Sequence, residues 1–150
     1  SPELRESILQ NYYRPHHQAL LKATSDHLER YQQARIIDAH SFSNIPFIRD
    51  MDKSINRPDI CIGTDEFHTP KEWIDFAQEY FLRKQLRVEL NRPYSGSIVP
   101  LEYCKDERVK SMMVEINRDL YLEKGTIEKS QQYTKIKSLI ADFLKDLQRL

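Results

Sequence analysis

Apolar positions open the chain at helical spacing. Leu4, Ile8 and Tyr12 fall four apart behind Ser1 and Pro2, so the pattern predicts a capped helix with a proline in its first turn and those three residues on its apolar face. Pro15 should end or interrupt this helix, because a proline in a helix interior removes a backbone donor and crowds the carbonyl four residues back. From His16 to about Gln33, Leu20, Leu21, Thr24, Leu28 and Tyr31 keep the same period and predict a second amphipathic helix, or the continuation of a kinked one.

The period then changes. "ARIIDAH" is short, apolar and β-branched, "PDICIGT" is another such run broken at Gly63, and "QLRVEL" alternates apolar and polar residues, so each reads as a strand. Between the last two, "TPKEWIDFAQEYFLRK" begins with a Thr69-Pro70 start signal and sets Trp73, Ala77, Tyr80 and Phe81 on one helical face. "DERVKSMMVEINRDLYL" fits either period: Val109, Met112, Met113, Ile116 and Leu120 suit a helix, while "SMMVEI" suits a strand. After Gly125 the pattern predicts a helix capped by Thr126, with Ile127, Ile136, Ile140, Phe143, Leu144 and Leu147 facing a core. Helices and strands alternate throughout, which points to an α/β layer architecture in one domain over residues 1–150.

Charge narrows the choice of partner. Lys and Arg total 23 and Asp and Glu total 23, so no net field favours nucleic acid or an anionic membrane, and a small, locally recognised ligand is expected. No apolar run approaches the roughly 18 residues of a membrane span, and "SPELRESILQ" has no signal-peptide core. Cys61 and Cys104 stand far apart outside any CxxC or Cys/His spacing, so a reducing, cytoplasmic setting is expected.

Three loops collect polar residues after predicted strands, where open α/β sheets place ligands: "HSFSNIPF", "GTDEFHTP" and "NRPYSGSIVP". On a strand, residues i and i+2 share a face, so Asp38 and His40 project together. That pair suits a metal-bound imidazole beside a carboxylate, and equally a plain Asp–His hydrogen bond at a sheet edge. Asn91 and Arg92 offer a directed hydrogen bond and a planar fork for a carboxylate; the alternative is a surface turn. Arg14 stands at a comparable Arg-Pro position beside His16 and His17, and can reach an anion. Glu115 lies in an apolar stretch, where burial would raise its pKa and suit it to proton transfer; the alternative is an exposed Glu, or one paired with Arg118.

As a set, "RIIDAHSFSNIPF", "PDICIGTD", "NRPYSGSIVPLEYCKDERVKSMMVEINRDLYL" and "YYRPHHQAL" resemble the N-formylglutamate amidohydrolase family, over about Tyr12 to Leu122. The resemblance implies a mixed central β-sheet flanked by helices, similar to the zinc carboxypeptidase-like fold and incomplete at the N-terminus. It implies a metal-dependent hydrolase that splits an amide next to a carboxylate, with a small-molecule carboxylate as substrate and zinc as cofactor. His40 matches the last zinc-ligating histidine and Glu115 the general base, while Arg14, Asn91, Arg92 and Arg118 match groups that hold substrate carboxylates. The His-containing segment that supplies the other metal ligands in the family has no counterpart in these residues. Three outcomes stay open: an N-formylglutamate amidohydrolase, a relative that binds a carboxylate without metal or catalysis, and a hydrolase of another acyl-amino acid or peptide. An open sheet edge would also let two copies pair.

Overall fold

The computed structural model describes residues 1–150. Eight regular elements follow one another: α1 (Pro2–Ile8), α2 (Arg14–Tyr31), β1 (Ala34–Phe42), β2 (Ile60–Gly63), α3 (Lys71–Arg83), β3 (Val88–Leu90), β4 (Val109–Asn117) and α4 (Tyr133–Leu147). The strands form one mixed sheet in the order β1-β4-β2-β3. β1 runs parallel to β4, β2 antiparallel to β4, and β3 parallel to β2. This is the mixed sheet with flanking helices that the family resemblance implied.

One face of the sheet carries the main core. Ile60 and Ile62 of β2 and Met112 and Val114 of β4 pack against Trp73, Ala77 and Phe81 of α3 and Phe143 and Leu147 of α4. Strand periodicity puts the intervening residues, Cys61, Ser111, Met113, Glu115 and Asn117, on the opposite face. A smaller core of Leu28, Ala34 and Val109 joins α2 to that side. The ambiguous segment is therefore a strand, because both of its faces are covered. A helix could not alternate its contacts between two layers in this way.

Three local expectations change. The first helix is capped as foreseen, with Leu4 N donating to Ser1 Oγ at 3.3 Å. Its apolar face, however, meets no core: Leu4, Ile8 and Tyr12 are all exposed. Pro15 does not end the helix either. A π-helical stretch over Leu9–Tyr13 widens the turn ahead of the proline, which then occupies the first turn of α2, where its missing N–H matters least. At the other end, Thr126 caps no helix. Its Oγ donates to Glu123 O and accepts from Glu128 N within a tight turn around Gly125, and α4 starts only at Tyr133. Ile127, expected in the core, is 89 % exposed.

Candidate active site

The register of the sheet assembles the site. His40 on β1 is paired with Glu115 on β4, which is paired in turn with Cys61 on β2. Paired residues of neighbouring strands share a face, so these three form a row across the sheet. The next row is Asp38, Met113 and Gly63.

One close contact defines His40. Its Nε2 lies 2.6 Å from Asp38 Oδ1. This is the i, i+2 strand pair anticipated from the sequence. Nδ1 makes no protein hydrogen bond, so in the neutral ring that holds its proton on Nε2, the Nδ1 lone pair is available. The His40 side chain is 53 % exposed on the edge strand.

Glu115 is the opposite case, only 6 % exposed, with Oε2 buried and lacking any hydrogen-bond partner. Burial pushes its pKa up from the ordinary Glu range; His40 and Arg118 pull it down, and Asp38 pushes it further up. A carboxylate tuned toward neutrality is suited to exchange a proton with a reacting group.

The loop Asn91–Pro100 covers this row. Cys61 Sγ donates to Tyr94 O at 3.2 Å, and Ser111 Oγ donates to Ile98 O at 2.8 Å. Between those anchors the loop backbone presses on Gly63: a Cβ there would lie 2.3 Å from Gly96 O, so only glycine permits the approach. Cys61 sits against Glu115, and burial holds its thiol pKa above the usual value.

The structure engages the remaining candidates within the protein. Asn91 adopts φ 54° and locks the loop: Oδ1 accepts from Thr64 N at 2.8 Å, and Nδ2 donates to Thr64 Oγ1 at 2.7 Å. Arg92 donates to Asp52 Oδ2 at 3.1 Å, Glu89 Oε2 at 2.5 Å and Ser54 Oγ at 2.7 Å. Arg118 holds β1, through Ser41 Oγ at 3.2 Å and Ser41 O at 3.1 Å, which leaves part of its fork free. Arg14, at the start of α2, pairs with Glu6 of α1 at 3.5 Å, and its side chain makes no hydrogen bond to the sheet.

Two residues were missed from sequence. Arg57 is fully buried and binds Asp50 Oδ2 at 2.9 Å, Ser43 O at 2.9 Å and Asp52 O at 2.8 Å, folding the segment after β1 around itself. No local pattern marks an arginine for burial. Cys61 could have been found, since the alternation in "ICIG" puts it opposite Ile60 and Ile62.

The family model for N-formylglutamate amidohydrolase matches residues 1–122. The chain belongs to the N-formylglutamate amidohydrolase family. None of the curated proteins matches it. The crystal structure of N-formylglutamate amidohydrolase from Ralstonia eutropha JMP134 superposes with a TM-score of 0.81 at 24 % identity, over 98 % of this chain and 54 % of that one. A gene product of Agrobacterium tumefaciens superposes with a TM-score of 0.63 at 17 % identity, over 96 % of this chain and 55 % of that one. This N-formylglutamate amidohydrolase-family chain thus spans about half the length of each solved relative and shares its fold.

Zinc, implied by the resemblance, can be tested against these residues. His40 fits one position, with Nε2 2.6 Å from Asp38 Oδ1 and Nδ1 available. A catalytic zinc needs three protein ligands, and nowhere do three His, Cys, Asp or Glu side chains gather as a metal-holding group. These residues fit one corner of such a site and do not make a whole one. No helix is long and apolar enough to cross a membrane.

Proposed function

We propose that this face hydrolyses an acyl-amide that lies next to a carboxylate, with an N-formyl amino acid such as N-formylglutamate as substrate. The observation that carries the reading is Glu115: a buried carboxyl with an unpartnered oxygen, in register with a histidine on the neighbouring strand, in a chain of the N-formylglutamate amidohydrolase family.

In this scheme Glu115 accepts a proton from the attacking water as the water oxygen bonds to the acyl carbon. It returns that proton to the amide nitrogen as the C–N bond breaks, so formyl leaves as formate and the amino acid as its amine. No covalent enzyme intermediate forms. Arg118, held on β1 by Ser41, offers its remaining N–H groups to a substrate carboxylate. Asn91 and Arg92 act by fixing the loop that closes over Glu115.

We further propose that His40 supplies one ligand to a divalent metal, with donors beyond those gathered by these residues completing it. Asp38 sets the tautomer that makes this ligation available. When bound, such an ion would make water more acidic and polarise the acyl oxygen.

The test is metal analysis and a formate-release assay on the full-length protein. Zinc and activity should both be present, and both should fall in His40→Ala. Unchanged metal content in that variant would remove His40 from the ligand set. Glutamate binding that survives chelation without any formate release would instead favour a metal-free carboxylate-binding relative.

A further inference from the structure

The sheet face turned away from Glu115 has an uncovered corner where β1 and β4 begin. Arg35 and Lys110 are paired in register there. Both lie on the core-bearing face, because Ile37 and Met112, two residues further along each strand, pack into the main core. Like charges side by side on neighbouring strands repel, and a nearby carboxylate could offset that. Neither residue belongs to any ion pair of the protein. Arg35 instead donates one N–H to Gln148 O at 3.3 Å and lies over the Trp73 ring, 5.8 Å from its centroid, so most of its fork is unused.

Two hollows meet at Arg35 and Trp73, which wall both of them. The first, of about 400 Å³, is polar and is bounded further by Lys110 and by Lys71 and Glu72 from the first turn of α3. Arg35, Lys71 and Glu72 are exposed, so this hollow opens directly to water. The second, of about 280 Å³, is mostly apolar, with Ile37, Leu144 and Leu147 among its walls. Each is near the lower end of the roughly 300–1,000 Å³ typical of small-molecule sites. In the polar hollow Lys71 is offset by Asp75, and Glu72 pairs with neither Arg35 nor Lys110. Two cations there face one carboxylate, and the missing charge is an anion.

We propose that this corner is a second ligand site, which takes a small amphipathic anion. The anionic head lies between Arg35 and Lys110, where the planar guanidinium fork suits a carboxylate and the ammonium supplies a point charge. The apolar body lies over Trp73 against Ile37, Leu144 and Leu147, away from the cations. Such a ligand relieves the repulsion of the cross-strand pair and covers apolar surface that the protein leaves open. Strand alternation sets this site on the opposite face from His40 and Glu115, so the assignment does not depend on the hydrolase reading.

Calorimetry on the full-length protein with octanoate, octanamide and butanoate tests this. Octanoate should bind best, because octanamide lacks the charge and butanoate lacks most of the apolar tail. Lys110→Met keeps the length of the side chain and removes the cation, so it should weaken octanoate about tenfold and leave octanamide unchanged. Arg118→Ala alters the catalytic face and should bind octanoate as the wild type does. A wild type that does not bind octanoate, or binds it no better than octanamide or butanoate, would overturn the assignment. So would wild-type octanoate affinity in Lys110→Met, or a loss in Arg118→Ala, which would place the ligand on the catalytic face. If Lys110→Met fails to fold, Lys110→Gln carries the same comparison with the same two outcomes.

Discussion

Under the proposed function Glu115 carries the proton transfer, and its environment makes opposite predictions for activity and stability. Its folded-state pKa is raised by burial, so the native protein holds this proton more tightly than the unfolded chain does. Stability therefore declines as pH rises through the window from the ordinary Glu pKa to the raised one, and the loss persists above it. Glu115→Gln removes the titration. The variant should be more heat-stable than the wild type near neutral pH, and the advantage should shrink on acidification below the ordinary Glu range. Formate release should fall by about 10²–10⁴-fold, the usual cost of losing a general acid–base. Melting curves across pH and a turnover assay check both halves, and a variant less stable than wild type at neutral pH would contradict the burial argument. Gly63 makes a second prediction at this scale. A methyl group there would press on the carbonyl of Gly96 and on Met113, so Gly63→Ala should destabilise by about 1–3 kcal/mol. Chemical denaturation measures the effect.

Among the elements, the segment between β1 and β2 shows how much one residue can organise. Arg57 sits at its centre with no solvent exposure of its side chain, stacked over Tyr94 at 5.8 Å and bonded to Asp50 and to three carbonyls, those of Ser43, Asp52 and Ser54. Burial pushes the Asp50 pKa up, but hydrogen bonds from Phe47 N, Arg57 and Tyr94 outweigh it and hold the carboxyl below its ordinary range. A depressed carboxyl contributes stability above the unfolded Asp pKa, and that contribution is lost as pH falls through the folded value. Arg57→Met should cost about 3–5 kcal/mol at neutral pH, since it strands Asp50 and three carbonyls. Its stability should also fall less steeply than that of the wild type on acidification, because much of the lowering of Asp50 goes with the arginine. Urea midpoints from pH 7 down to pH 3 test this; parallel pH profiles would refute it.

For the molecule as a whole, the surfaces left open matter most. β1 forms an edge of the sheet along its full length, and the first helix exposes Leu4, Ile8 and Tyr12 to solvent. Open edges and uncovered apolar stripes favour association. The 150-residue polypeptide alone should therefore self-associate as its concentration rises, read by sedimentation velocity, and Ile8→Lys should reduce the effect by charging the helix stripe. A monodisperse monomer at all concentrations would sink the prediction, whereas association unaffected by Ile8→Lys would trace it to the β1 edge.

Much of this was legible in the chain before any fold was known, for reasons that lie in local chemistry. The period of two around Asp38 and His40 put both on one strand face, and the structure joins them at 2.6 Å. The 3.6-residue period of "KEWIDFAQEYFLR" picked out Trp73, Ala77 and Phe81, all now buried. The family resemblance, carried by motifs at particular residues, is matched over residues 1–122. What local pattern could not supply were relations between distant segments. Val109–Asn117 is a strand because β1 and β2 flank it, and helical and extended periods fit its apolar residues equally well until those neighbours exist. Ile127 and the face of the first helix looked like core, yet apolar character says only that a residue would gain from burial, not that anything is there to cover it. Arg57 carried no signal at all, since its role depends on segments that meet only after folding. The sequence by itself determined that Asp38 and His40 share one strand face, because the period of two is local. Tertiary structure alone decided that Glu115 is buried beside His40 and that Arg92 is engaged by Asp52 and Glu89, because burial and pairing are properties of contacts between segments far apart in the chain.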